Sequence, residues 1–291
     1  MTGEPWLDAV VVGILGLLIG SFLNVVIHRV PIMMERSWDK ECRDYIEEKG
    51  WPAPPAPEAD GRFDLLAPAS RCPHCGHAIR WYENIPVASY VALGGKCSGC
   101  KSRISIRYPL VELATGGLFY FCAARWGWSM TTAMWCGFSA ALVALAMIDW
   151  DTTLLPDDIT LPLLWAALIG SAVHWLAVPL ADSILGAATG YLFLWSIYWA
   201  FKLLTGKEGM GYGDFKLLAA LGAWFGWSAL VPIILMASVI GAVVGLGMKF
   251  ASSLREGHYV PFGPFLACAG LASMIVGPQK ILQSVLSIFG I

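Results

Sequence analysis

Charge is scarce in this chain. Only 14% of its 291 residues are Asp, Glu, Lys or Arg, whereas a soluble globular domain carries nearer a quarter. The formal net charge is −2, so no basic surplus points to nucleic acid. Internal repeats and long low-complexity tracts are absent. Lysine and arginine are missing ahead of the first apolar run, whose flank holds Glu4 and Asp8. No small-residue cleavage site follows that run, so it is expected to remain as an anchor and not to be removed as a signal peptide.

What is present instead is apolar. Hydrophobic residues make up 57% of the chain, the mean hydropathy is +0.63, and there are 14 tryptophans. Tryptophan suits the water–lipid boundary of many spans. A span needs about 20 mostly apolar residues. Eight runs approach this: 7–28, 108–125, 129–148, 159–178, 182–203, 214–226, 228–250 and 261–287. The sixth is short and contains glycine, which suits a helix half-buried by its neighbours. The expected fold class is an all-α polytopic membrane protein of about eight transmembrane helices.

Basic residues give the orientation. With eight spans, the segments 29–107, 149–158, 202–216 and 249–260 share one side. They hold 17 of the 19 Lys and Arg, leaving only Arg125 and Lys280 elsewhere. Positive residues stay in the cytoplasm. The N-terminus is therefore expected outside and residues 29–107 inside. Three parts follow: a first helix over 1–28, a cytoplasmic insertion over 29–107, and a helix bundle over 108–291.

The insertion opens with a charged stretch, 35–50, and continues into the proline-rich 51–61, where regular helix is disfavoured. Glu35, Asp39, Glu41, Asp44, Glu47 and Glu48 read either as a solvated face or as an attractor for a basic partner. Within the first span, Ser21, Asn24 and His28 fall on one helical face. They either line a polar groove at its cytoplasmic end or cap the bundle at the interface.

Cys72-Pro73-His74-Cys75 and Cys97-Ser98-Gly99-Cys100 form two C-x-x-C knuckles separated by 21 residues. Two knuckles bring four thiolates to one tetrahedral zinc, and the gap lies one residue beyond the usual zinc-ribbon range. The cytoplasm disfavours disulfides, so a structural zinc is expected, with unpaired or redox-active thiols as the alternative. His74 reads as a bystander. Cys122, Cys136 and Cys268 read as small core residues, and Cys42 has no partner by spacing.

Carboxylates beside membrane helices are costly and usually functional. Asp149, Asp151, Asp157 and Asp158 cluster in AMIDWDTTLLPDD, and Asp214 closes the glycine-rich GMGYGD. Asp149 ends the third span and Asp214 starts the sixth, so both fall at the cytoplasmic face. Two facing carboxylates share a proton, which supplies the base and the acid that water attack on a peptide needs. Asp157 and Asp158 read as N-caps of the fourth helix, and Asp151 as a solvated loop residue. Asp214 reads equally as a cap, although Gly211 and Gly213 leave room for an extended substrate to approach it. Glu112, inside the second span, needs a partner.

GYGDFK, together with Asp149 in IDWDTTLLPD, resembles the GxGD membrane aspartyl proteases. IGSFLNVVIHRVP at 19–31 and the cysteine segment at 71–112 narrow the resemblance to the bacterial prepilin leader peptidase/N-methyltransferase family. That resemblance implies a catalytic pair at Asp149 and Asp214. It implies cleavage of basic leaders from type IV prepilins and type II secretion pseudopilins after a glycine, at the cytoplasmic face of the bacterial inner membrane. It also implies N-methylation of the new terminus by S-adenosylmethionine, tied to the cysteine domain and including Gly95 and Lys96. No glycine-rich Rossmann fingerprint marks a site for the methyl donor. Two rival classes remain on the residues alone: a transporter or channel using intramembrane acids, and a membrane-anchored zinc-ribbon scaffold.

Overall fold

The first apolar run does not stop at its basic boundary. In the computed structural model, α1 runs unbroken from Pro5 to Glu48, passing through Pro31. Its first half is apolar. Its second half exposes Glu35, Asp39, Glu41, Asp44, Glu47 and Glu48 in turn. Residues 5–52, 61–250 and 260–288 are described. The flanking Glu4, most of the proline-rich stretch (53–60) and most of the loop 249–260 lie outside them.

Among the described residues the regular secondary structure is helical, and strand pairing is limited to two isolated bridges. After α1 come the short α2 (Ala88–Ala92), α3 (Arg107–Trp126), α4 (Met130–Thr152), α5 (Asp157–Ala172), α6 (Leu180–Thr205) and α7 (Tyr212–Phe225). The last three are α8 (Leu230–Phe250), α9 (Gly263–Val276) and α10 (Pro278–Ile288). Two compact units result, residues 1–125 and 126–291.

In the first unit, α1 and α3 touch backbone to backbone. A methyl on Gly20 would sit 2.7 Å from the Glu112 Cα, and one on Gly116 would sit 2.7 Å from the Leu17 side chain. Small residues permit this approach where lipid offers no hydrophobic drive between helices.

In the second unit, α7 is the central element, packed against α5, α6, α8 and α9. Ten of its 14 residues are buried. At about 1.5 Å per residue it is too short to cross roughly 30 Å of hydrocarbon, which agrees with a sixth helix sheltered by neighbours. Gly186 of α6 and Gly222 of α7 press their backbones together, and Gly190 faces the carbonyl of Leu218. Trp224 Nε1 donates to Leu163 O and Ser183 Oγ donates to Ala223 O, fixing α7 to α5 and α6.

Four described helices are long and apolar enough to cross a membrane: α1, α4, α6, and α8 with its preceding turn. The bent pair α9 and α10 makes a fifth if counted together. The run 261–287 is thus two helices, bent by 107° at Gly277-Pro278. Glycine there has φ +96°, and proline cannot continue the preceding helix.

Candidate active site and metal centre

Asp149 sits one turn before the end of α4. Thr153 caps that end with a left-handed backbone, its N–H donating to Asp149 O at 2.9 Å. The chain then turns into Leu154 and Leu155. Asp214 is the third residue of α7, behind an N-cap at Gly211. Both carboxylates are buried, each only 4% exposed, and Leu155 lies against both Gly213, next to Asp214, and Gly263, next to the Asp149 carboxylate. Asp149 Oδ2 has no hydrogen-bond partner among the described residues. A buried carboxylate oxygen without a partner is costly. The geometry thus brings together the two aspartates that the sequence singles out, with acceptor capacity to spare.

The neighbouring acids separate from this pair. Asp157 and Asp158 occupy the first turn of α5, but Pro156 is the N-cap and no side chain caps the helix. Their negative charge suits the helix dipole instead. Asp157 also pairs with Lys216 Nζ at 2.7 and 2.8 Å, tying the start of α5 to the first turn of α7. Asp151 is exposed but helical, because α4 runs past it to Thr152.

The glycines divide. A methyl on Gly211 would meet nothing closer than 4.0 Å. A methyl on Gly213 would sit 2.7 Å from Leu155 Cβ, so that space is already filled. The sequence does not single out Gly263, at the start of α9. A methyl there would lie 2.5 Å from Asp149 Oδ2 and 3.1 Å from Leu155 Cδ1. Leu155 therefore plugs the ground between α7 and α9, beside the carboxylates. The available signal was Pro261-Phe262-Gly263-Pro264, a glycine framed by rigid residues at a helix start.

In the first unit the four cysteines converge. Their Sγ atoms all lie within 4.8 Å of one another, with Cys72–Cys100 at 3.8 Å and Cys75–Cys97 at 4.0 Å. A tetrahedral zinc with bonds near 2.3 Å needs sulfurs about 3.8 Å apart, so the set fits. No disulfide joins them. Each knuckle closes on itself: Cys72 N–H donates to His77 O, and Cys97 N–H to Ser102 O, both at 2.9 Å. Backbone N–H groups of His74 and Cys75 aim at the Cys72 sulfur and hold its thiol down, at about 6.

Glu83 links the two knuckles. Its Oε2 accepts from Arg80 N–H at 2.9 Å and lies 3.1 Å from His77 Nε2, which in turn meets Ser98 Oγ at 3.1 Å. The Arg80 N–H, then Ser98 and His77, pull the Glu83 carboxyl down to about 2. His74 is exposed and stands outside the sulfur cluster. Gly95 has φ +67°, and a methyl on it would sit 2.9 Å from the Tyr90 hydroxyl. Lys96 is exposed and bridges antiparallel to Arg103. Cys122 and Cys136 are buried as expected, whereas Cys268 faces outward from α9.

Residues 14–126 match the bacterial peptidase A24 N-terminal domain, and residues 136–246 match the type IV leader peptidase family. The chain is 50% identical to a protein of Aeromonas salmonicida (strain A449) over 277 residues, covering 94% of this chain and 93% of the relative. It is 53% identical to a Stutzerimonas stutzeri protein, covering 91% and 90%. A Pseudomonas aeruginosa protein is 50% identical, covering 91% and 89%. Each of the three is named prepilin leader peptidase/N-methyltransferase. This chain belongs to the type IV leader peptidase family. No solved structure matches it. Both regions of the family pattern are present, and the aspartate pair and the cysteine cluster fall within the peptidase and N-terminal matches respectively.

Proposed function

We propose that this chain is a prepilin leader peptidase and N-methyltransferase of the bacterial inner membrane, with Asp149 and Asp214 as its proteolytic pair. The observation that carries the proteolytic assignment is the joint burial of these two carboxylates, one of whose oxygens has no hydrogen-bond partner among the described residues. Such an oxygen is suited to hold a water. One carboxylate accepts a proton as that water attacks the carbonyl after the leader glycine. The other carries the shared proton, donates it to the carbonyl oxygen, and the departing amine is then protonated. Family membership weighs against a transporter or an inert scaffold, neither of which needs both domains.

The substrates in this reading are type IV prepilins and the pseudopilins of type II secretion. In this reading the N-terminus lies outside and the dyad end of the bundle in the cytoplasm, which the positive bias of Lys and Arg supports. Cys72, Cys75, Cys97 and Cys100 hold one structural zinc. Four thiolates leave no open coordination position, so the ion organises the module and does no chemistry. S-adenosylmethionine supplies the methyl group for the new N-terminus.

The test is cleavage of a prepilin by purified single and double variants. Asp149→Asn and Asp214→Asn should each abolish cleavage almost as completely as the double change, because residues acting as one unit are non-additive. Asp151→Asn should retain most activity. Near wild-type cleavage by either folded single dyad variant would overturn the assignment.

A further inference from the structure

The first unit encloses a cavity of about 630 Å³ that proteolysis does not use. Ligand pockets of small proteins fall in the range of roughly 300–1,000 Å³. Ser21, Asn24 and His28 line it from one face of α1, and Tyr108 and Glu112 from the start of α3. The cysteine module supplies Tyr90 and Arg103 among others.

The cavity is held open by its own bonds. Arg29 is buried, and its guanidinium donates to Asp64 O at 2.7 Å and Pro68 O at 2.6 Å, which fixes the loop that forms one wall. Asn24 Nδ2 donates to Tyr108 O at 3.2 Å, and its Oδ1 accepts no hydrogen bond from the described residues. Glu112 is only 7% exposed. Its Oε2 accepts from Val87 N–H at 2.8 Å, and Ser21 lines the same cavity. No Lys, Arg or His among the described residues pairs with it. Val87 itself is bent to φ +59° to reach it, a conformation that is strained for a β-branched residue.

A buried carboxylate without a counter-ion, facing a cavity of ligand size, calls for a cationic ligand. Tyr90 and Tyr108 offer rings for a flat base or for a cation. Arg103, an exposed residue that also lines the cavity, suits a carboxylate. A ligand with a positive centre, a carboxylate and an aromatic base satisfies all three. We propose that this cavity binds S-adenosylmethionine, with its sulfonium centre against Glu112 and its carboxylate toward Arg103. The placement rests on the methyl-transfer reading above.

The test is calorimetric titration of full-length, zinc-loaded protein in detergent with S-adenosylmethionine, and separately with S-adenosylhomocysteine. Wild-type protein should bind both. Glu112→Gln should weaken S-adenosylmethionine binding at least tenfold. Arg103→Ala and Tyr108→Ala, at exposed positions where truncation should spare the fold, should each weaken it several-fold. Zinc content and prepilin cleavage, measured on the same preparations, should stay at wild-type levels. Wild-type affinity in all three variants would overturn the placement while leaving methyl transfer standing. No binding by wild-type protein would overturn both.

Discussion

Gly263 lies against the carboxylate of Asp149, so closely that a methyl group on it would come within 2.5 Å of Oδ2. Contacts that short do not occur in folded proteins, so one partner must move. The Asp149 side chain is the softer of the two, because Gly263 begins α9 and sits among buried residues. Gly263→Ala should therefore turn the carboxylate away from its working position without unfolding the bundle. A displacement of about 1 Å costs on the order of a hundredfold in rate. Prepilin cleavage should drop by that order while the melting temperature moves little. Unchanged cleavage in Gly263→Ala would show that the contact has no catalytic meaning.

The aspartates were legible because carboxylates are conspicuous in apolar sequence, and the four cysteines because their spacing suits one ion. The face of Ser21, Asn24 and His28 was legible too, from helical periodicity, and all three line the cavity. Gly263 was not, since nothing local tells a glycine that faces a carboxylate from one that faces lipid. Glu112 was visible as a charge without a partner, but its backbone partner at Val87 belongs to a loop whose path no periodicity records. The break at Gly277 was written in a Gly-Pro dipeptide, yet the uninterrupted apolar run around it reads as a single span. Asp157 and Asp158 follow a proline that takes the cap position itself, so their cap-like composition misleads.

Glu83 touches the surroundings of both knuckles without touching a metal. Groups that orient ligands from behind typically change metal affinity by about 10–100-fold when removed. Glu83→Gln keeps the shape but loses the charge that accepts from Arg80 N–H and faces His77. Zinc should transfer to a chromogenic chelator at least tenfold faster from this variant, with prepilin cleavage little affected. Equal release rates would confine Glu83 to a surface role.

Acid should strip the same site, and the sign follows from the thiols. Protons compete with the metal for thiolate sulfur. In the metal-free module, the N–H groups of His74 and Cys75 lower the Cys72 thiol, whereas burial and the neighbouring sulfurs raise that of Cys75, so zinc must displace protons from the cluster to bind. Zinc should stay bound at neutral pH and be released as pH falls far enough for protons to outcompete the metal at the four sulfurs. Cys72→Ser raises the ligand's proton affinity and removes the sulfur, and should shift the release midpoint toward neutral pH. Metal analysis after equilibration across a pH series would read this directly. Retention of zinc unchanged at pH 4 would argue for a different ligand set.

The Asp214 side of the dyad depends on how closely α7 approaches α6. The backbones of Gly186 and Gly222 press together, and a methyl on either would collide with the other helix's carbonyl. Backbone cannot swing aside as a side chain does, so Gly222→Ala must push the helices apart. Overpacking of this kind costs about 1–3 kcal/mol. Because α7 is also fixed by Trp224 and Ser183 at its far end, the displacement should tilt its first turn and carry Asp214 with it. Cleavage should fall at least tenfold, and the melting temperature should fall as well. Gly137, on α4 of the same unit, has no atom within 4 Å of the space a methyl would take. Gly137→Ala adds helix propensity worth up to about 1 kcal/mol and meets no neighbour, so it should leave cleavage intact and the melting temperature equal or higher. If Gly222→Ala behaved like Gly137→Ala, the close seam would not be what positions Asp214.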